Sequence, residues 1–371
     1  MVKSKWFSIF MAVGLVLLAA FSFKAAKDAG AFRKYPKPAY LSDEESALRP
    51  VYQELSRKEQ AVYEALYRGI INGKEHITLP YEVPEETYSR LFRIIEKEEF
   101  GFFHLDSKYY TADKVRDAHV IYRVDGEKRE SMKKELEDGI TSGLSGIAYN
   151  TDEYEKVMRI HDYIVRNCKY VESDSTGFCS TAYGCLVMKE ANCEGYAKAF
   201  GLLCSRTGIK CVLVTGESYE GENHAWNQVC VNGEWYNMDV TWDDTDVPGD
   251  MRRVYFLTND QEFNVTHKSD GELFTPFPCG DNDNNYYKLN GQYAETLEQA
   301  REILFRELYN GSSTVEIKFA SEQLYNEFMD VYVERQEVFP VLSEAGRLRE
   351  NTSVSVRENA PERLITILIS E

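Results

Sequence analysis

The chain has no Cys-x-x-Cys pair and no cluster of cysteine and histidine at zinc-ligand spacing, which excludes the common structural zinc modules. Basic charge is in deficit. Forty-three Lys and Arg face 61 Asp and Glu, a net charge of −18, and a field of that sign repels phosphate backbones, so nucleic acid is excluded as a partner. No internal repeat is present. Apolar residues, by contrast, are plentiful: 43% of the chain is hydrophobic and 13% aromatic, which excludes wholesale disorder. With 371 residues the chain exceeds the size of one ordinary core, and two or three domains are expected.

Lys3 and Lys5 precede an apolar run from Trp6 to Phe23. That length is long for a signal-peptide core and just enough for a membrane span. Ala29-Gly30-Ala31 offers a small-residue cleavage pattern, and no cysteine lies just after the run, so a lipoprotein anchor is excluded. Residues 1–31 are read as a signal peptide or an N-terminal membrane anchor. Either way the remainder is expected outside the cytoplasm, secreted or membrane-anchored, with membrane contact at the N-terminus.

The eight cysteines permit disulfides but do not establish them; most lie in apolar stretches such as Cys211-Val212-Leu213-Val214 and read as small buried hydrophobes. Val62, Leu66, Ile70 and Ile71 form one stripe of a helix over 56–74, and a second helix is expected over Pro84–Lys97. Strands are expected near 101–112 and 117–123. Residues 32–140 are thus read as an N-terminal α+β region.

From Thr151 the pattern changes. Tyr154, Val157, Met158, His161, Ile164 and Val165 share a helical stripe, which makes His161 a core histidine. A polar loop over 172–180 leads to a helix from Cys193 to Arg206, stopped by Gly208. Strands follow over 209–215, 225–231 and 234–241, the last two joined by Asn232-Gly233, a strong hairpin signal. Helices near 296–309 and 321–333 and strands near 313–319, 352–357 and 363–369 make 271–371 a C-terminal α+β region. The Asp/Asn run at 281–285 is not a calcium loop, because Tyr286 stands where glycine is needed and Gln292 where a bidentate Glu is needed; it reads as a solvated linker.

Asn192 is a good N-cap, placing Cys193 at the first position of a helix whose other face carries Tyr196, Phe200 and Leu203. Free backbone N–H groups and the positive end of the helix dipole stabilise a negative sulfur and an oxyanion alike. A thiolate nucleophile needs a base, and the base an orienting acceptor. If Asn232-Gly233 is a two-residue turn, Val231 pairs with Glu234, and counting outward makes His224 and Asp239 diagonal neighbours on one face. Their Cα atoms would then be roughly 7–8 Å apart.

The ordered motifs Cys193-Glu194-Gly195-Tyr196-Ala197, Asn223-His224-Ala225-Trp226-Asn227 and Trp235-Tyr236-Asn237-Met238-Asp239-Val240-Thr241-Trp242 resemble the bacterial branch of the transglutaminase-like superfamily. The resemblance extends to Ile160-His161-Asp162-Tyr163-Ile164 and Ala182-Tyr183-Gly184 and covers about residues 150–260 of a domain drawn at 141–270. It implies an α+β fold with a papain-like core, a Cys-bearing helix packed on an antiparallel sheet. It implies the roles of nucleophile for Cys193, general base for His224 and orienting carboxylate for Asp239. The expected activity is acyl transfer on a peptide or protein substrate, cell-surface material included, without metal or organic cofactor. Hydrolysis is the first expectation; amine transfer and a non-catalytic peptide or cell-wall binding module are the alternatives. Tyr183 is expected either to shape the oxyanion site or to pack, and Trp226 and Trp242 to shield the His–Asp pair or line a groove.

Overall fold

The computed structural model describes residues 35–124, 126–245 and 251–370, with Phe21, Ser22 and Lys24. The Trp6–Phe23 run lies almost wholly outside the described residues, as does Ala29-Gly30-Ala31. Among the described residues no helix is long and apolar enough to cross a membrane.

Local signals place the first elements. Ser56 and Glu59 form a reciprocal capping box that starts α1, Arg57–Ile71. Its buried stripe is Val62, Leu66 and Ile70, whereas Ile71 is exposed in the last turn. The strand β1, His76–Pro84, was not foreseen, and its two prolines explain why. Proline cannot donate to a ladder, and the pairing of β1 slips between Thr78 and Val83, around Pro80. After α2, Glu85–Glu98, come β2, Leu105–Tyr110, and β3, Lys114–Tyr122, giving a three-stranded sheet in the order β1-β3-β2.

The helices α3, Gly126–Gly143, and α4, Glu153–Asn167, lead to α5, Cys193–Arg206. Then come β4, Cys211–Ser218, β5, Asn223–Val231, and β6, Glu234–Met238, followed by the short helix α6, Val240–Asp243, and β7, His267–Ser269. These strands form an antiparallel sheet in the order β6-β5-β4-β7. Asn232 and Gly233 both take positive φ, as a type I′ turn requires. Val231 pairs with Glu234 and the ladder runs to Asn227 with Met238. There the expected strand over 234–241 stops, because Asp239 leaves the ladder to cap α6.

Both faces of this sheet are covered, which accounts for the nearly unbroken burial of β4. Cys211 and Leu213 join a core with Tyr196, Phe200 and Leu203 of α5 and Met132, Leu136 and Ile140 of α3. Val212 and Val214 join another with Leu66, Phe92 and Val120. At roughly 1.5–3 kcal/mol per buried large aliphatic or aromatic side chain, this double burial makes the sheet the rigid centre of the molecule. Asn227 of β5 rivets it to α5, donating from Nδ2 to Ala197 O at 3.1 Å and to Val212 O at 3.2 Å.

A third core unites α7, Leu297–Tyr309, β8, Thr314–Phe319, α8, Glu322–Phe328, α9, Val338–Glu344, β9, Ser353–Asn359, and β10, Leu364–Ser370. The helix α9 had no clear sequence signal. The run at 281–285 is not a solvated linker: Tyr236 donates its hydroxyl to Asp281, and fully buried Asn285 caps the turn Tyr286–Leu289. All eight cysteines are unpaired, five of them buried. The molecule is therefore α+β, with a cysteine-bearing helix packed on an antiparallel sheet between smaller α+β regions.

Candidate active site

Asn192 Oδ1 accepts from Gly195 N–H at 3.2 Å, which sets the start of α5 and puts half-buried Cys193 at its first position. The helix start is pressed onto the turn Phe178–Ser180, and a Cβ at Gly195 would lie 2.1 Å from Cys179 O. That carbonyl cannot yield, since it also accepts from Asn192 N–H at 3.0 Å. Only glycine fits two residues after the cysteine.

His224, in β5, points its Nε2 at Asp239 Oδ2 across 2.6 Å. Asp239 reaches it not as a strand residue but as the N-cap of α6, with Oδ1 accepting from the N–H groups of Thr241 at 2.9 Å and Trp242 at 3.2 Å. Burial works against charge on both groups, yet the pair outweighs it. Burial opposes the His224 imidazolium, but Asp239 and then Cys193 lift its pKa to about 10. Burial likewise pushes Asp239 up, but His224 and His267 hold it well below the usual carboxylate range. The charged pair is the resting state.

Cys193 and His224 line one cavity of about 490 Å³ with Asn192, Glu194, Lys97 and Asn223. On its other side His224 lines a cleft of about 440 Å³ with Tyr170, Tyr219, Glu222, Trp242 and Arg252. The imidazole is thus reachable from two directions. Lys97, from α2, bonds Glu194 at 2.7 Å and Glu96 at 2.9 Å, and Lys198 bonds the same two carboxylates. The N-terminal region therefore supplies a cation, paired with Glu194 and Glu96, to the wall of the cavity that holds Cys193.

The aromatic residues divide their work. Trp226 is buried behind His224, whereas half-buried Trp242 both covers His224, at 5.2 Å between ring centroids, and lines the cleft. Tyr183 packs between Phe103 and Phe178 and donates its hydroxyl to Glu135. His161 is a core histidine, but a bonded one: it meets Asp162 at 3.1 Å and Asp243 of α6 at 3.2 Å.

Sequence reasoning assigned no role to His267. The structure places it on the other side of Asp239, Nε2 to Oδ2 at 3.0 Å. No spacing signals this, because the contact comes from β7 pairing with β4, Ser218 opposite His267. Donor atoms of His224, Asp239 and His267 lie within 4.8 Å of one another, as do those of Glu75, His76 and His119 at the edge of β1 and β3. Both sets have the donor types of a divalent-cation site, but in the first the carboxylate oxygen already accepts from two imidazoles.

A helix carrying cysteine at its N-terminus, packed on an antiparallel sheet that presents a histidine–aspartate pair, is the papain-like arrangement. Residues 144–240 match the family model of the Transglutaminase-like superfamily, a superfamily of cysteine-based enzymes, and form a domain of that kind. The chain is similar to the kyphoscoliosis peptidase of Homo sapiens, 28% identical over 201 residues that make up 47% of this chain and 30% of that protein. The Mus musculus kyphoscoliosis peptidase is 29% identical over 167 residues, 41% of this chain and 24% of that one. The chain thus spans less than a third of the length of these relatives. Among solved structures it is similar to a TGase (TM-score 0.28, 14% identity, 42% of this chain and 49% of that one). A putative cysteine protease from Cytophaga hutchinsonii gives a TM-score of 0.25 at 16% identity, over 36% of this chain and 61% of that one.

Proposed function

We propose that this protein is an exported cysteine-nucleophile enzyme that cleaves peptide or amide bonds, with Cys193, His224 and Asp239 as its working residues. The observation that carries the reading is the 2.6 Å bond from His224 to Asp239 in a cavity that also holds Cys193 at the start of α5. The Cys193 thiolate adds to the carbonyl carbon, and N–H groups at the helix start hold the oxyanion. His224 then gives its proton to the leaving amine as the carbon–nitrogen bond breaks, leaving a thioester. Water attacks next, His224 takes one of its protons, and the acid leaves as the thiolate is restored. Two approaches to His224 and a short hairpin loop between β4 and β5 favour water over a docked amine as acceptor.

Cys193 is expected to react with iodoacetamide at about pH 6 faster than any other cysteine in the folded chain. Peptide mapping that finds it among the slowest removes the nucleophile. With a glutamine-containing peptide and a labelled primary amine, the expected product is free acid, and none should form in Cys193→Ala. Amine incorporation without comparable acid release would reassign the enzyme to cross-linking.

Export rests on Lys3, Lys5 and the Trp6–Phe23 run. Recovery of the intact chain from the soluble cytoplasm of its source would overturn it.

A further inference from the structure

His267 is closely enclosed. Its ring stacks on Phe263 with centroids 3.9 Å apart and is walled by Trp242 at 4.6 Å, Trp226 at 5.1 Å and Tyr255 at 5.2 Å. Nδ1 meets Thr266 Oγ1 at 2.9 Å, and Nε2 meets Asp239 Oδ2 at 3.0 Å, the oxygen that also receives His224. An ionised carboxylate only accepts, so Nε2 carries the proton; the Thr266 hydroxyl, which lies 3.3 Å from Phe263 O, can turn its one proton to the nearer Nδ1 instead. A buried carboxylate oxygen deprived of this donor would lose a hydrogen bond; Phe263 has no donor to replace it, and the Tyr255 hydroxyl is given to Glu362 at 2.8 Å.

We propose that His267 is a positioning residue of this active site, whose Nε2–H donates to the same Asp239 oxygen as His224, aiming that oxygen and limiting how tightly it retains the His224 proton. The proposal rests on the reading of Cys193, His224 and Asp239 given above. Each N–H donor on a carboxylate lowers its affinity for protons. His224 has to release its proton to the leaving group, and an imidazolium facing a carboxylate oxygen it did not share would be a poorer acid. Asp239, His224, Tyr255 and Thr266 are the titratable or polar groups that face His267. Those facing His224 are Asp239, Cys193 and His267, with Tyr170, Tyr219, Glu220, Glu222, Asp244, Arg252 and Glu362 around the cleft and Arg93, Glu96, Lys97, Tyr109, Glu194 and Asp270 around the cavity that holds Cys193.

Two measurements decide it. In the unaltered protein, nitrogen NMR of the imidazoles should find His267 as the Nε2–H tautomer, and an Nδ1–H tautomer overturns the proposal whatever any variant does. Next, the rate of Cys193 alkylation is followed against pH in the unaltered protein, His267→Phe and His267→Gln, each checked for folding by circular dichroism. The upper inflection, set by His224, should move up by roughly one pH unit in His267→Phe. It should stay in place in His267→Gln, whose amide N–H reaches the same oxygen. A folded His267→Phe with an unmoved inflection would overturn the role of His267 and leave the Cys193 reading standing. A Cys193 no more reactive than the other cysteines in the unaltered protein removes both. Should His267→Phe fail to fold, the tautomer decides.

Discussion

Asp239→Asn should leave the protein folded and slow acylation of Cys193 by roughly 10³–10⁴-fold. The reason lies in how fully the carboxylate is used. Oδ1 accepts from the N–H groups of Thr241 and Trp242, and Oδ2 accepts from His224 and His267. An amide has one acceptor atom, not two. If its oxygen keeps the cap on α6, its NH₂ group faces two imidazole N–H donors. His224 must then move its proton to the nitrogen that faces Cys193, where it can no longer take the thiol proton. If instead the oxygen faces His224, the NH₂ group meets the two backbone donors of α6. Asparagine is itself a good N-cap, so the first arrangement is the favoured one and folding survives. The burst of p-nitrophenol released from p-nitrophenyl acetate reads the acylation rate without a known substrate. A burst within about 3-fold of the unaltered protein's, far short of the loss a wrong tautomer causes, would show that another group orients His224.

The second large effect is on stability. Asp243→Ala should cost about 3–5 kcal/mol, because it strips one partner from a buried charged pair. His161 is fully buried, with Asp162 on one nitrogen and Asp243 on the other. Burial lowers its pKa, but the bonds to these two carboxylates outweigh that and raise it above the ordinary value. A raised histidine contributes its full stability below about pH 6.5, its unfolded value, and loses it as pH rises through the higher folded value. The urea midpoint of Asp243→Ala should therefore fall furthest below the unaltered midpoint at mildly acidic pH, and the gap should narrow in alkali. A gap that is small, or that widens with pH, would show that His161 is held neutral. The same substitution bears on the site, since Asp243 also accepts from Tyr255 N–H and ends the helix that Asp239 begins.

Much of this was legible without coordinates, for local reasons. Asn192 announces a helix start through its own side-chain bond, and the helix begins there; the stripe of Val62, Leu66 and Ile70 likewise marked the helix that starts after Ser56. Asn232-Gly233 specified both the hairpin and its register, because a type I′ turn leaves the flanking strands one way to pair. That register brought His224 near Asp239 even though the second strand ended sooner than expected. Where the reading went astray, a local rule met a tertiary demand. Two prolines disguised β1, and a polar run at 281–285 concealed Asn285, whose burial depends on packing its neighbours cannot foretell.

Short-range chemistry in the chain was thus enough to determine where Cys193 sits on its helix and which histidine and aspartate the hairpin brings near each other, because caps and tight turns are complete within a few residues. Only the folded chain decided that Lys97 pairs with Glu194 in the wall of the Cys193 cavity, that Asp243 braces α6 through His161, and that His267 shares an oxygen with His224. Those contacts join elements that no periodicity connects. They exist because the two faces of one sheet must be buried against different parts of the chain, and burial carries polar groups along that then have to find partners.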